Sequence, residues 1–189
     1  MAWRDVAIQR ERFFEGVIPW MYLDGKGFVT VAVGEMLATV EAAQTLPFIN
    51  PDTRTYATPA EIAVGYNCVR NMAKGLRSTD YRIASNLILS DDAINGLLGR
   101  RIDLCTAELR HDFPGFDGYP DVVKPALVDM DLNLGETRLR GTFPRFDAAV
   151  LRTPPDWRTA AAECHRQDIG DSRNQWTRAQ FLAAAVACS

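Results

Sequence analysis

Three side chains near the N-terminus have the chemistry that cleavage of a glycosidic bond needs. Glu15, Asp24 and Thr30 lie in the stretch FFEGVIPWMYLDGKGFVTVAVG, residues 13 to 34. That reaction uses one carboxyl group to protonate the leaving oxygen and a second to activate water or attack directly. A threonine hydroxyl can hold such a water. The three residues are therefore a candidate catalytic set, although each type is also common at a helix end, a turn or a strand.

The local pattern places these residues on a helix end, a turn and a strand. Apolar residues at helical spacing predict a helix over residues 3 to 14, which Gly16 and Pro19 would terminate. The run WMYL, the turn residues DGKG and the alternating run FVTVAV then predict a β-hairpin. Glu15 is thus expected at the end of the first helix, Asp24 at the turn and Thr30 on the second strand.

The remainder of the sequence predicts mainly helices. Thr58 is a candidate N-cap for a helix over residues 59 to 74, and Ser90 for a long helix that runs to about Arg110. An apolar segment, residues 121 to 134, predicts a further helix that ends at Gly135. Asp156 would cap a helix running to about residue 167, and residues 174 to 187 would form the last one. We expect a small αβ lobe followed by a helical bundle.

Composition narrows the classes of protein and partner. The chain has 189 residues, 47% of them hydrophobic, with a formal net charge of -3. The acidic balance disfavours nucleic acid and anionic membranes as partners, and no apolar run is long enough for a spanning helix. The N-terminal residues do not form a Sec-type signal. We expect the four cysteines to be reduced and mostly buried, and we expect no metal site; the cysteines are Cys68, Cys105, Cys164 and Cys188.

The opening stretch resembles the phage-type lysozymes of glycoside hydrolase family 24. Eight positions carry the resemblance in one ungapped block: Glu15, Gly16, Tyr22, Asp24, Gly27, Phe28, Thr30 and Gly34. Weaker similarity continues through LSDDAINGLLGRRIDLCTAEL, VDMDLNLGET, TFPRF, PDWRTAAAECH and GDSRNQWTRAQF. In total the resemblance covers residues 5 to 37 and 89 to 185.

The resemblance implies an α+β, lysozyme-like fold in a single domain, residues 1 to 189. Its parts would be an N-terminal αβ lobe over residues 1 to 88 with an extra segment at 38 to 88, a linking helix at 89 to 110, and a helical lobe at 111 to 189. The implied substrate is the glycan of peptidoglycan, cut between N-acetylmuramic acid and N-acetylglucosamine with net inversion and without a cofactor.

The resemblance also implies roles for individual residues. Glu15 would be the general acid, Asp24 the residue that positions or activates water, and Thr30 its partner. The residues expected to bind substrate are Tyr22, Gly34, Asn133 and Arg173. Arg173, in the stretch GDSRNQ, matches the family arginine that reaches the catalytic glutamate.

Three departures from the family pattern keep alternatives open. Glu35 stands where the family usually has a histidine, residues 36 to 88 match poorly, and Glu163 differs in charge from the matching cleft position. The chain is therefore interpreted as an active muramidase or as a lysozyme-fold module that binds peptidoglycan or a protein partner without cutting it. Its setting would be a bacterial antibacterial effector with a cognate immunity protein, or a prophage endolysin. A secretion system or a holin would then deliver it to the periplasm or cell wall.

Overall fold

The computed structural model describes residues 1–135 and 139–187 and has an α+β fold. The helices are α1 Trp3–Glu15, α2 Val40–Gln44, α3 Pro59–Arg70, α4 Asp91–Asp112, α5 Lys124–Leu134, α6 Pro144–Val150, α7 Trp157–Glu163 and α8 Asp171–Ala187. The strands are β1 Ile18–Leu23, β2 Val29–Ala32, β3 Glu35–Met36, β4 Ile49–Asn50 and β5 Thr55–Tyr56. Short 3₁₀ helices span Ser78–Ile83 and Phe116–Gly118.

The chain divides into two compact units. The αβ unit comprises Glu15–Leu98, and the helical unit comprises Met1–Phe14 together with Gly99–Ser189. Helix α1 belongs to the helical unit because Arg4 forms an ion pair of 2.8 Å with Asp103 and Trp3 packs edge-on against Phe116. This grouping differs from the lobe boundaries expected from the sequence, which placed residues 1 to 88 together.

The αβ unit contains the predicted hairpin. Strands β1, β2 and β3 form an antiparallel sheet in that order, and β4 pairs with β5. Met21 and Val31 on the sheet are fully buried, as are Phe48 and Val69 from the following segment. The extra segment therefore contributes to the core of this unit and does not extend from it as an exposed loop.

The predicted N-cap of α3 is confirmed, whereas the predicted end of this helix is wrong. The Thr58 hydroxyl accepts a hydrogen bond from the Glu61 backbone N–H, and the Glu61 carboxylate accepts one from the Thr58 backbone N–H at 2.7 Å. This is a capping box. The helix ends at Arg70, before the expected residue 74, because Asn71 forms the C-cap and Met72 donates to the Val69 carbonyl, three residues back.

Three predicted boundaries in the helical unit are also wrong. Helix α5 begins at Lys124, three residues later than expected, because the Val123 backbone N–H donates to the Pro120 carbonyl in a turn that precedes the helix. Helix α7 ends at Glu163, before the expected residue 167, because the Arg166 backbone N–H donates to the Asn174 side chain at 3.0 Å. Helix α8 begins at Asp171, three residues earlier than expected, because the Gly170 carbonyl accepts from two backbone N–H groups of its first turn. In contrast, α4 follows Ser90 as expected, and the Ser90 hydroxyl caps it by accepting from Ala93 at 3.2 Å.

The cysteine prediction is confirmed at two positions. Cys105 and Cys164 are buried and reduced, whereas Cys68 is reduced but exposed on α3. Cys188 lies outside the described residues, as do Glu136 and Thr137 of the segment VDMDLNLGET. Over residues 1–135 and 139–187, no helix is both long enough and apolar enough to cross a membrane.

Candidate functional site

Glu15 is the last residue of α1, as expected, and it begins the αβ unit. Gly16 follows it at a φ of +75°, the left-handed conformation in which helices commonly end and which glycine adopts without steric cost. The Glu15 residue is exposed. The helix end therefore carries a carboxyl group just before the chain enters β1.

Asp24 occupies the turn between β1 and β2, and its side chain organises that turn. One carboxylate oxygen, Oδ1, accepts hydrogen bonds from the backbone N–H groups of Lys26 and Phe28, both at 2.9 Å. The backbone adds a bond from Asp24 N to Phe28 O at 3.0 Å and one from Gly27 N to Asp24 O at 2.9 Å. Among the described residues, Oδ2 accepts no hydrogen bond. One oxygen thus fixes the side chain while the other remains for a water or a substrate group.

Thr30 and Tyr22 face each other across the β1–β2 pair, next to this turn. Thr30 is only 3% exposed, and its hydroxyl donates to the Phe28 carbonyl at 3.1 Å. Its oxygen keeps lone pairs that can accept a hydrogen bond. Because so little of Thr30 is exposed, only a small hydrogen-bond donor, such as water, has room to reach its hydroxyl oxygen.

Tyr22 remains a hydrogen-bond donor in this environment. Burial, and then the negative charge of Asp24, raise the pKa of the Tyr22 phenol above its usual value. Both effects disfavour the phenolate. The protonated hydroxyl is therefore the form that would meet a ligand near the Asp24 turn.

Gly34 lies in the turn between β2 and β3, at a φ of +74°. It is exposed, and a methyl group placed on it would meet no atom within 4 Å. Glu35 begins β3 opposite Val31. The αβ unit thus carries five of the predicted site residues on consecutive elements: Glu15, Tyr22, Asp24, Thr30 and Gly34.

The other two predicted residues, Asn133 and Arg173, belong to the helical unit. Arg173, on α8, is buried, and its Nε donates to an Asp129 carboxylate oxygen at 2.6 Å. Its Nη2 donates to Glu11 at 3.4 Å, and its guanidinium lies 5.1 Å from the centre of the Phe14 ring. Two carboxylates and one aromatic face therefore hold this guanidinium in place.

A buried network joins Arg173 to Asn133. The second Asp129 oxygen accepts from Arg166 Nη2 at 2.6 Å, and Arg166 Nη1 donates to the Asn133 side-chain oxygen at 3.3 Å. Asp129 is fully buried and Arg166 is 3% exposed. Thr177 also contacts both of them through its hydroxyl. The charges of Asp129 and Arg166 are therefore paired inside the helical unit.

Sequence reasoning missed Asp129 and Arg166 as parts of the candidate site. One signal was present for Asp129, because a carboxylate within the apolar helix LVDMDL needs a buried partner. Nothing in the sequence near Arg166 identified it as that partner. The pairing spans 37 positions and requires the tertiary fold.

Asn133 also lines a cavity of about 420 Å³ in the helical unit, and part of its lining is apolar, from Leu134, Phe143 and Ile169. Other residues that line this cavity include Thr142, His165, Gln167 and Asp168. Cavities of this size accommodate small organic ligands, and the amide, hydroxyl and carboxylate groups of the lining can form hydrogen bonds with sugar hydroxyls.

No protein-family model matches the chain, and no curated protein matches it. The family resemblance therefore rests on the residues and spacing of the opening stretch.

Proposed function

We propose that the chain is a peptidoglycan muramidase that hydrolyses the bond between N-acetylmuramic acid and N-acetylglucosamine. In this proposal Glu15 is the general acid, and Asp24 with Thr30 holds the attacking water. The observation that carries it is the Asp24 turn: one oxygen is fixed by two backbone N–H groups while the other is left for water. Thr30 supports the same role because its oxygen can accept a hydrogen bond beside this turn.

The proposed reaction is a single displacement. Glu15 gives its proton to the glycosidic oxygen as the bond between that oxygen and C1 breaks. A water that donates a proton to Asp24 Oδ2 attacks C1 from the opposite face, and its oxygen becomes the new anomeric hydroxyl. This geometry requires carboxyl groups about 6.5 to 9.5 Å apart and inverts the anomeric centre. The β-linked glycan would therefore release an α-configured product.

Each unit contains residues that would bind substrate. In the αβ unit, Tyr22 supplies a phenolic donor, and the exposed Gly34 lets a sugar approach the backbone closely. In the helical unit, Asn133 presents an amide that Arg166 orients, and Arg173 is a proposed substrate-binding residue.

Turnover of purified peptidoglycan tests the proposal. The wild-type chain should release soluble fragments, and Glu15→Gln should reduce the rate by at least about 100-fold because the general acid is lost. Glu41→Gln is a matched control, since it neutralises an exposed glutamate on α2 of the same unit. Mass spectrometry should find hydrated reducing ends, and NMR of fresh product should find the α anomer. Anhydro ends would instead indicate a transglycosylase, and a β anomer would indicate a covalent intermediate.

A glycan-binding module is the second candidate, and the replacement of the family's histidine by Glu35 favours it. In that case, the wild-type chain would bind peptidoglycan without releasing fragments, and Glu15→Gln would bind equally well.

We further propose an antibacterial effector role with a protein inhibitor. Export of the chain to the periplasm of a test bacterium should lyse the cells, and co-expression of the inhibitor's gene should prevent lysis.

A further inference from the structure

The side chain of Lys74 packs against the turn that contains Asp24. A methyl group built on Gly27, within that turn, would lie 2.6 Å from Lys74 Cδ, 3.3 Å from Cγ and 3.5 Å from Cε. Those three carbons therefore cover the face of Gly27, and the ammonium group is one bond beyond the last of them. Gly27 N donates to the Asp24 carbonyl, so the lysine lies against the hydrogen-bonded turn itself.

Neighbouring side chains hold the backbone around Lys74 in place. The hydroxyl of Tyr81, a fully buried residue, donates to the Ala73 carbonyl at 2.9 Å. Trp20 on β1 donates through its indole N–H to the Ser78 carbonyl at 2.8 Å, and Arg82 stacks 4.9 Å from the Trp20 ring centre. The segment that departs from the family pattern is thus anchored to β1, the strand that leads into Asp24.

Lys74 places a positive charge next to this turn. It is exposed, and within residues 1–135 and 139–187 it forms no ion pair. The sequence has only two other lysines: Lys26 is exposed in the same turn, whereas Lys124 is buried and paired with Asp121. Both exposed lysines therefore lie at the candidate catalytic turn of a chain whose net charge is -3.

We propose that Lys74 is a substrate-binding residue that pairs with a carboxylate of the peptidoglycan strand next to the Asp24 turn. This inference rests on the proposed function and extends it, because it gives part of the extra segment a role in selecting an anionic substrate. Peptidoglycan offers such groups on the peptides attached to its muramic acid residues. A lysine is suited to this contact because its ammonium is a mobile point charge on a flexible stem.

The test compares two substrates that differ only in charge. Soluble peptidoglycan fragments are used as isolated and after their carboxylates have been converted to amides. Lys74→Met keeps a stem of similar length over Gly27 and removes the charge, so it should raise KM on the native fragments about threefold to fivefold, as expected for one exposed ion pair. The value of kcat, and KM on the amidated fragments, should stay within about twofold. Lys74→Arg should retain most of the wild-type KM.

Two controls separate charge recognition from other effects. Arg100→Met changes the net charge equally on an exposed position of α4 and should leave KM unchanged. Adding salt should raise the KM of the wild type more than that of Lys74→Met, because screening removes a contact that the variant lacks. Equal losses on both substrates would overturn the proposal and indicate a packing role on Gly27.

Binding to the same fragments by Glu15→Gln, with and without Lys74→Met, gives a readout that needs no turnover. A threefold to fivefold weakening on native fragments alone supports the proposal, and no change overturns it. If the wild type cleaves neither substrate, the muramidase proposal fails. If it cleaves both and Lys74→Met behaves as the wild type does, only the lysine proposal fails.

Discussion

Replacing Asp24 by asparagine separates its catalytic role from its structural one. An asparagine side-chain oxygen can accept the same two backbone N–H groups, from Lys26 and Phe28, that Oδ1 accepts. The negative charge at Oδ2, which the proposed mechanism requires, is lost. Alanine removes both the charge and the two hydrogen bonds. The pair Asp24→Asn and Asp24→Ala therefore distinguishes two explanations for the same residue.

The expected magnitudes follow from the bonds at the turn. At about 1 kcal/mol for each bond, Asp24→Ala should lower the free energy of unfolding by about 2 kcal/mol. For a chain of this length that corresponds to a fall in melting temperature of about 4 to 8 °C. Asp24→Asn keeps both bonds in weaker form and should cost less than about 1 kcal/mol. Both variants should lose at least about 100-fold in kcat, because the group that activates water is gone.

Urea unfolding and fragment release from peptidoglycan measure the two effects on the same preparations. A catalytic role requires Asp24→Asn to be folded and nearly inactive. If Asp24→Asn turns over at close to the wild-type rate while Asp24→Ala is destabilised, Asp24 serves only to shape the turn. That result would refute the assignment of Asp24 as the residue that activates water.

Three further predictions concern the αβ unit and the buried charges of the helical unit. Asp129→Asn should lower the free energy of unfolding by about 3 to 5 kcal/mol, because it leaves the buried Arg173 without one of its carboxylates; a loss under 1 kcal/mol in urea unfolding would contradict this. Gly27→Ala should cost about 1 to 2 kcal/mol from the φ of +90° and a smaller amount from displacing the Lys74 side chain, so in urea unfolding the double variant with Lys74→Ala should recover only that smaller part. Burial raises the pKa of the Asp147 carboxyl group. The contribution of this group to stability is therefore greatest in acid and falls as pH rises through its folded-state pKa. Between acid and neutral pH, the free energy of unfolding of Asp147→Asn should accordingly fall less than that of the wild type.

The sequence predicted those features that depend on local signals. The helix end at Glu15, the turn at Asp24 and the caps at Thr58 and Ser90 each follow from a few adjacent residues. The predicted end of α7 was wrong because the Asn174 side chain accepts a hydrogen bond from the Arg166 backbone N–H, a contact between residues eight positions apart. Helix ends that depend on such contacts are not visible in a local pattern.

The parts of the candidate site that escaped prediction depend on distant partners. Asp129 is paired with residues 37 and 44 positions later in the chain. Lys74 reaches the Asp24 turn from a segment for which the family resemblance offered no guide. Residue type and spacing could identify Glu15 and Asp24 as candidate catalytic carboxyl groups, but only the fold identifies the residues that surround them.

The grouping of α1 with the helical unit has a consequence for synthesis on the ribosome. Arg4 finds its partner Asp103 99 positions later, and Glu11 finds Arg173 162 positions later. The αβ unit, by contrast, is one continuous stretch and can fold as soon as it has emerged. The charged and aromatic side chains of the first helix therefore lack these partners through most of translation. This makes the nascent segment a natural target for chaperones.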